Sequence, residues 1–466
     1  MIAADAAVAE AAVATEDKYT KATGRSELSE RPFFITEQEF RRSMSESAAH
    51  VTLAPSVRTL DNGLTVVSEC LPYLHSATVG VWIRTGSANE EEEHAGISHF
   101  LEHLFFKGTK SRTSRELMDA IESRGGHMNA FTTREYTCLY VKTLDDHVPT
   151  AIEVLGDIVK NSLFSDLEKE RNVILEEIAS GIDVPDEHVH DMLTGALWPN
   201  HAVGRPIAGS LESVSRTDLE DVQAYKETWY RPENIVIAIV GNVDESTIFE
   251  RIESEFGSIP RGTMPEQFGA PAAHASIEAV DREIAQNHLA FAFPSCSLVD
   301  PKRYVFDMLS STLGGGMTSR LFETIREDAG LAYSIYSFNS SLANAGMFGI
   351  YAAIAPENLQ KTISLCFDEL KKLCDTPISD EELQSNREQL KGGLLIALEA
   401  TFNRMSRIVR SLMYFDRVMT VREILDGVDA VTAEDLQTAA QDIFTKDKCA
   451  MAILGPKSEQ PVELPF

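Results

Sequence analysis

The chain has 466 residues, room for two to four domains at roughly 150 residues each, and its 43% hydrophobic and 24% charged content is that of a globular protein. No run of about 18 apolar residues occurs, so no transmembrane segment is expected. With 72 acidic against 42 basic residues the net charge is −30, which argues against nucleic acid as a partner and permits attraction of cationic substrates. Residues 1–54 are Ala-rich, then mixed polar and charged, and are expected to form a mobile extension with one helix near 37–47. Asp61-Asn62-Gly63 between two apolar runs predicts a β-hairpin, and residues 77–85 a strand. The four carboxylates Glu90 to Glu93 read as a solvated face. A helix carrying His99 follows and ends near Gly108; a second spans 113–124, stopped by Gly125-Gly126. Residues 127–133 and 136–142 read as strands, then helices over 148–161, 165–180, 187–198 and 216–230. Residues 235–240 form a continuous β-branched run, as in a strand buried on both faces.

Residues 258–280, rich in Pro, Gly and Ala, look like a linker. Beyond it the pattern restarts. The strand at 288–293 stands in the place of 78–83, and Ala450 to Gly455 echoes Val236 to Gly241 at an offset of 214 residues. Helices near 303–313, 319–328, 357–374, 380–400 and 431–444 follow the first half's order. The expected fold is therefore α+β: two similar, duplicated αβ domains, each a mainly antiparallel sheet with packed helices. The expected boundaries are 55–257 and 281–466, and the second half has no histidine pair.

The chemistry concentrates in His99-Phe100-Leu101-Glu102-His103. On a helix, His99 and His103 stand at i and i+4 on one face and can hold one metal ion, with Glu102 leaning over it without being a ligand. The order His-x-x-Glu-His is the inverted form of the zinc-peptidase signature; the alternative is a core helix with two satisfied histidines. Catalytic zinc takes three protein ligands, commonly two His and a carboxylate. The 165–180 helix offers a stripe of Leu167, Glu170, Ile174, Glu177 and Ile178, with Glu176 to the solvent side. Glu177 fits the third ligand and Glu170 a carboxylate that steadies a ligand imidazole. Pairing of both acids with Lys or Arg is the competing account.

His99 to His103, followed 74 residues later by Glu177, resembles the pitrilysin/insulinase family of zinc peptidases. The nearest resemblance is to its short-chain branch, the mitochondrial processing peptidase β-subunit and its bacterial relatives, over residues 56 to 456. The resemblance extends to Gly125 through Thr132, and to Gly314 through Phe322 with Arg326 through Tyr333. It implies Zn2+ as cofactor, Glu102 as general base, and two αβ halves per chain in a clamshell that admits unstructured peptides. It further implies substrate contacts at Asn129 and Ala130, along an edge strand, and at Arg326 and Tyr333. In that branch two chains build the chamber, so a homodimer or a heterodimer with a related subunit is expected. The rival within the family is a non-catalytic scaffold subunit. Six cysteines without C-x-x-C pairing read as free thiols, and an acidic N-terminus fits neither a secretory signal nor an Arg-rich transit peptide. The cytoplasm is the expected compartment, with the mitochondrial matrix as the alternative.

Overall fold

The computed structural model describes residues 54–457 and 461–465. The extension expected over 1–54, with its helix, thus lies outside the described residues except for Ala54. The first half runs β1 (Ser56–Thr59), β2 (Thr65–Cys70), β3 (Ser76–Ile83), α1 (Ile97–Phe105), α2 (Ser114–Glu122), β4 (His127–Thr132), β5 (Thr137–Leu144), α3 (Val148–Asn161), α4 (Leu167–Asp183), α5 (Pro185–Leu197), α6 (Leu211–Arg216), α7 (Leu219–Trp229), β6 (Ile235–Gly241) and α8 (Glu245–Phe256). The second runs β7 (Ser276–Asp281), β8 (Asn287–Ser295), α9 (Arg303–Gly314), β9 (Ala332–Ser341), β10 (Gly346–Ile354), α10 (Leu359–Asp375), α11 (Asp380–Ala397), α12 (Thr401–Phe415), α13 (Val421–Asp429), α14 (Ala433–Ile443) and β11 (Ala450–Gly455).

Each half builds one sheet, and the orders correspond: β1-β2-β6-β3-β5-β4 and β7-β11-β8-β10-β9. In both, one pairing is parallel (β2 with β6, β7 with β11) and the rest antiparallel. Both sheets end on an equivalent open edge, β4 in the first and β9 in the second. The duplicated α+β fold is therefore present, with β7 beginning inside the stretch whose composition suggests a linker.

Every residue of β6 is buried, as its unbroken apolar run requires. Ile235, Ile237 and Ile239 face the first half's own helices, in one core with Phe100, Leu155 and Phe249. Val236, Ala238 and Val240 face the opposite way and pack on Met405, Ile408, Val409 and Leu412 of α12, a helix from the second half. The reverse also holds. Val189, Leu193 and Leu197 of α5, from the first half, cover Ala290, Ala292, Ala450 and Ala452 on the second sheet. Each half thus lends one helix to the other's sheet. Small residues allow the approach: a Cβ on Gly80 would lie 2.8 Å from Met405 Sδ. Polar ties cross the same boundary, with Arg404 Nη1 2.9 Å from Glu69 in a pair almost without solvent and Thr78 Oγ1 2.7 Å from Thr401 Oγ1.

Three departures from expectation have physical causes. The helix expected over 216–230 begins at Leu219, because Asp218 caps a new helix start just after α6 ends at Arg216. Residues 322–328 form a π-turn in place of an α-helix. Glu91, Glu92 and Glu93 are exposed, but Glu90 is only 6% exposed, drawn inward by two backbone N–H groups of α1.

Candidate metal centre

The site sits where α1 and α4 cross beside the open edge of the first sheet. Phe100, Leu101, Leu104 and Phe105 of α1 are fully buried, and that anchoring turns His99 and His103 outward together. Their rings stand 4.7 Å apart between centroids at 67°. Glu177 on α4 faces both: Oε1 is 3.6 Å from His99 Nε2 and Oε2 is 3.5 Å from His103 Nε2. These separations are too long for hydrogen bonds. They are short enough for both imidazoles and the carboxylate to reach one ion at zinc distances of about 2.0–2.2 Å. Among the described residues this trio is the one group of three or more His, Cys, Asp or Glu side chains able to converge on an ion.

The donor set suits a cation. Burial, then the neighbouring His103, holds His99 down at about 4, so its imidazole is neutral at pH 7 with a lone pair to give. On the far side of His103, Nδ1 lies 3.4 Å from Glu170 Oε2, and Glu170 Oε1 pairs with Lys107 Nζ at 2.8 Å. Glu170 is thus the buried, cation-paired acid of the helical stripe. The ion pairs described for Glu177 are with the two histidines alone, and its side chain is 51% exposed because the stripe there faces a cavity instead of a core.

Glu102 lies under the cluster. Thr132 Oγ1, at the end of β4, donates to Glu102 Oε2 at 2.6 Å. Burial raises the Glu102 carboxyl to about 7, against the Thr132 hydrogen bond and with help from the nearby Glu177 charge. β4 is open on one side. Thr133 N–H donates to Tyr136 C=O at the hairpin end, so the backbone groups of Met128, Ala130 and Thr132 alternate toward the free edge. Asn129 Oδ1 accepts the Ala130 N–H at 2.9 Å.

From Glu177 a cavity of about 1020 Å³ runs along α4, α5 and the 204–212 segment. Its lining includes Glu187, Asp191, Glu212 and Glu278, with no Lys or Arg. Arg326 and Tyr333 lie elsewhere, on the π-turn and at the start of β9. The Arg326 guanidinium sits 5.5 Å from the Tyr333 ring centroid, and Tyr333 is 78% exposed. No described contact joins either to the histidine cluster. Thr132 and Lys107 had no sequence signal, since each acts across a tertiary contact, and Glu90 had none because it folds back on the nearby start of α1 with no period to mark it.

Residues 65–211 match the family model for Insulinase (Peptidase family M16), and 216–390 match the Peptidase M16 inactive domain. The uncharacterized zinc protease YmxG of Bacillus subtilis (strain 168) is 38% identical over 86% of this chain and 98% of its own. An uncharacterized zinc protease of Mycobacterium tuberculosis (strain ATCC 25618 / H37Rv) is 36% identical over 89% and 96% respectively. In fold, the chain is similar to a protease from Helicobacter pylori, with a TM-score of 0.81 at 23% identity over 86% of this chain and 99% of that one.

Proposed function

This chain belongs to the insulinase family, peptidase family M16, and from that premise we propose that it is a zinc-dependent endopeptidase acting on unstructured peptides. The observation that carries the reading is the convergence of His99, His103 and Glu177, with each histidine Nε2 3.5–3.6 Å from a Glu177 oxygen. His99, His103 and Glu177 hold the zinc, and Glu170 fixes the His103 tautomer through Nδ1. When bound, zinc supplies a Lewis acid that polarises a carbonyl and makes water acidic enough to lose a proton near neutral pH.

The chain's own groups do the rest. Thr132 holds one oxygen of Glu102, leaving the other free to accept a proton from the attacking water and return it to the leaving amine. A peptide docks as an added strand on β4 near Asn129 and Ala130, where main-chain hydrogen bonds align it whatever its side chains. The acidic cavity wall favours peptides with basic residues, and salt should weaken that preference. The second half, without ligands, supplies chamber wall. In a homodimer or heterodimer, Arg326 and Tyr333 would face a partner's site, consistent with the exposure of Tyr333 and the half-buried Arg326 beside it. All six cysteines are free, which fits the cytoplasm or another reducing compartment, and no described helix is long and apolar enough to cross a membrane. The domain reading is 55–257 as the ligand-bearing unit and 281–466 as its ligand-free relative.

The non-catalytic alternative would leave the convergent trio without a use. The test is metal content together with cleavage of a quenched unstructured peptide, with and without chelator. Glu102→Gln should retain zinc and lose roughly 10² to 10⁴ in rate. Near-normal hydrolysis by that variant, or chelator-resistant hydrolysis by the wild type, would overturn the reading.

A further inference from the structure

We infer that Glu90 is a positioning residue, a buried carboxylate that sets the rotation of α1 and so aims His99 at the metal. The inference rests on the metal-site reading above and concerns how that site is held. Helix α1 starts at Gly96, in the left-handed region at φ 94°, with no capping side chain from its own N-cap. The first N–H groups of a helix have no partner within it. Two of them go to Glu90: Gly96 N–H donates to Oε2 at 2.7 Å and Ser98 N–H to Oε1 at 2.8 Å.

A fork on two N–H groups flanking Ile97 constrains more than the position of the helix end. It also fixes rotation about the helix axis. An imidazole nitrogen lies roughly 6 Å from that axis, so a 10° turn displaces it by roughly 1 Å. Metal–ligand distances tolerate about 0.2 Å. His99 is the residue immediately after the fork, so the error reaches it undiluted.

Glu90 is itself fixed. Arg205 Nη2 donates to its carbonyl oxygen. Gly96 is pressed against the 208–209 backbone, where a Cβ would lie 2.4 Å from Ala208 C=O. The segment just before Glu90 is bonded to the tip of the β4–β5 hairpin, with Ser87 N–H to Thr133 C=O and Ala88 N–H to Arg134 C=O. Thr132, which holds Glu102, is the next residue along that hairpin. Glu90 therefore registers the ligand helix against the strand that carries the base's hydrogen-bond donor. A short capping side chain at Gly96 would satisfy an N–H locally and make no such connection.

The test compares Glu90→Gln and Glu90→Asp with Asp157→Asn. Glutamine offers one acceptor where two are needed, and aspartate is too short to span both N–H groups. Asp157 accepts from Thr109, Ser111 and Arg112 in a buried network of the same half, so its variant lowers stability without touching the fork. At pH 8, zinc affinity is read by competition with a chromophoric chelator, and ligand geometry by the visible spectrum of the cobalt-substituted protein. Glu90→Gln should weaken zinc binding by about 10- to 100-fold, as removing supports behind ligands does, and should alter the cobalt spectrum. Glu90→Asp should fall between it and the wild type, and decides the question should the Gln variant not fold. Asp157→Asn should leave both readouts unchanged. Wild-type affinity and spectrum in the Glu90 variants would overturn the inference, as would equal losses in Asp157→Asn. Failure of the wild type to bind zinc would instead sink the metal-site reading beneath it.

Discussion

Three glutamates around the histidine pair take the same side chain into three settings. Glu170 is buried against Lys107 and His103, Glu102 is buried under Thr132, and Glu177 stands half open at the head of a cavity. Only Glu177 has both oxygens turned to the histidine nitrogens, so Glu177→Gln should strip zinc. Glu176→Gln, one residue away on the solvent side, should leave metal content and activity near wild type. Elemental analysis of the two variants decides this, and zinc lost from the Glu176 variant alone would reverse the assignment. Glu90 gives a pH signature in stability. Burial raises it from 4.5 to about 7, against hydrogen bonds from Ser98 and Gly96. Because the folded value is the higher one, its contribution to stability is complete below about pH 4.5 and is lost as pH rises through about 7. Between pH 8 and pH 5 the unfolding free energy of the wild type should gain about 2–3 kcal/mol relative to Glu90→Gln. Denaturant titrations of both proteins at the two pH values measure it, and a constant difference would mean Glu90 titrates like an exposed acid.

At the scale of elements, β4 packs with one face and leaves its edge open. Met128 and Ala130 are buried, and the outward groups of its backbone remain unpaired with any strand. Ala130→Pro removes one edge N–H, which Asn129 Oδ1 accepts in the free protein, and no ladder bond, so the fold should tolerate it. Docking of a peptide backbone should not, and kcat/KM should drop by about tenfold, the worth of roughly one hydrogen bond. Unchanged kcat/KM would place the substrate elsewhere. The same distinction explains what was legible beforehand. His99, Glu102 and His103 share one helix, and Glu170 and Glu177 another, so a period of 3.6 places each set without knowledge of the fold. The crossing of those helices was suggested by chemistry alone. Thr132 reaches Glu102 through a strand-to-helix contact, and Glu90 reaches α1 by doubling back over a short turn; no periodicity encodes either. Helix α12 has a signal in the sequence: Phe402, Met405, Ile408, Val409 and Leu412 recur at helical spacing just after α11. Its destination, the other half's sheet, was not readable.

Over the whole molecule, α5 and α12 make the duplication reciprocal, and the stretch 257–275 joins two bodies already clasped by those helices. Opening the chain by protease at an engineered site near Gly269, where an added side chain would meet nothing within 4 Å, should leave the pieces together. At micromolar protein they should co-elute in size exclusion and unfold in one transition. Separation into two folded pieces would show that the exchanged helices contribute little. Glu69→Ala should destabilise more than any exposed-pair substitution, by about 3–5 kcal/mol, because it strands Arg404 without a counter-charge in the boundary. The exchange also changes what dilution can do. Through a short tether each helix meets its distant sheet at an effective concentration on the order of millimolar, set by chain length and independent of how much protein is present. Cut the tether, and the same surfaces answer to mass action: stability acquires a concentration term, and the two pieces become partners that must find one another.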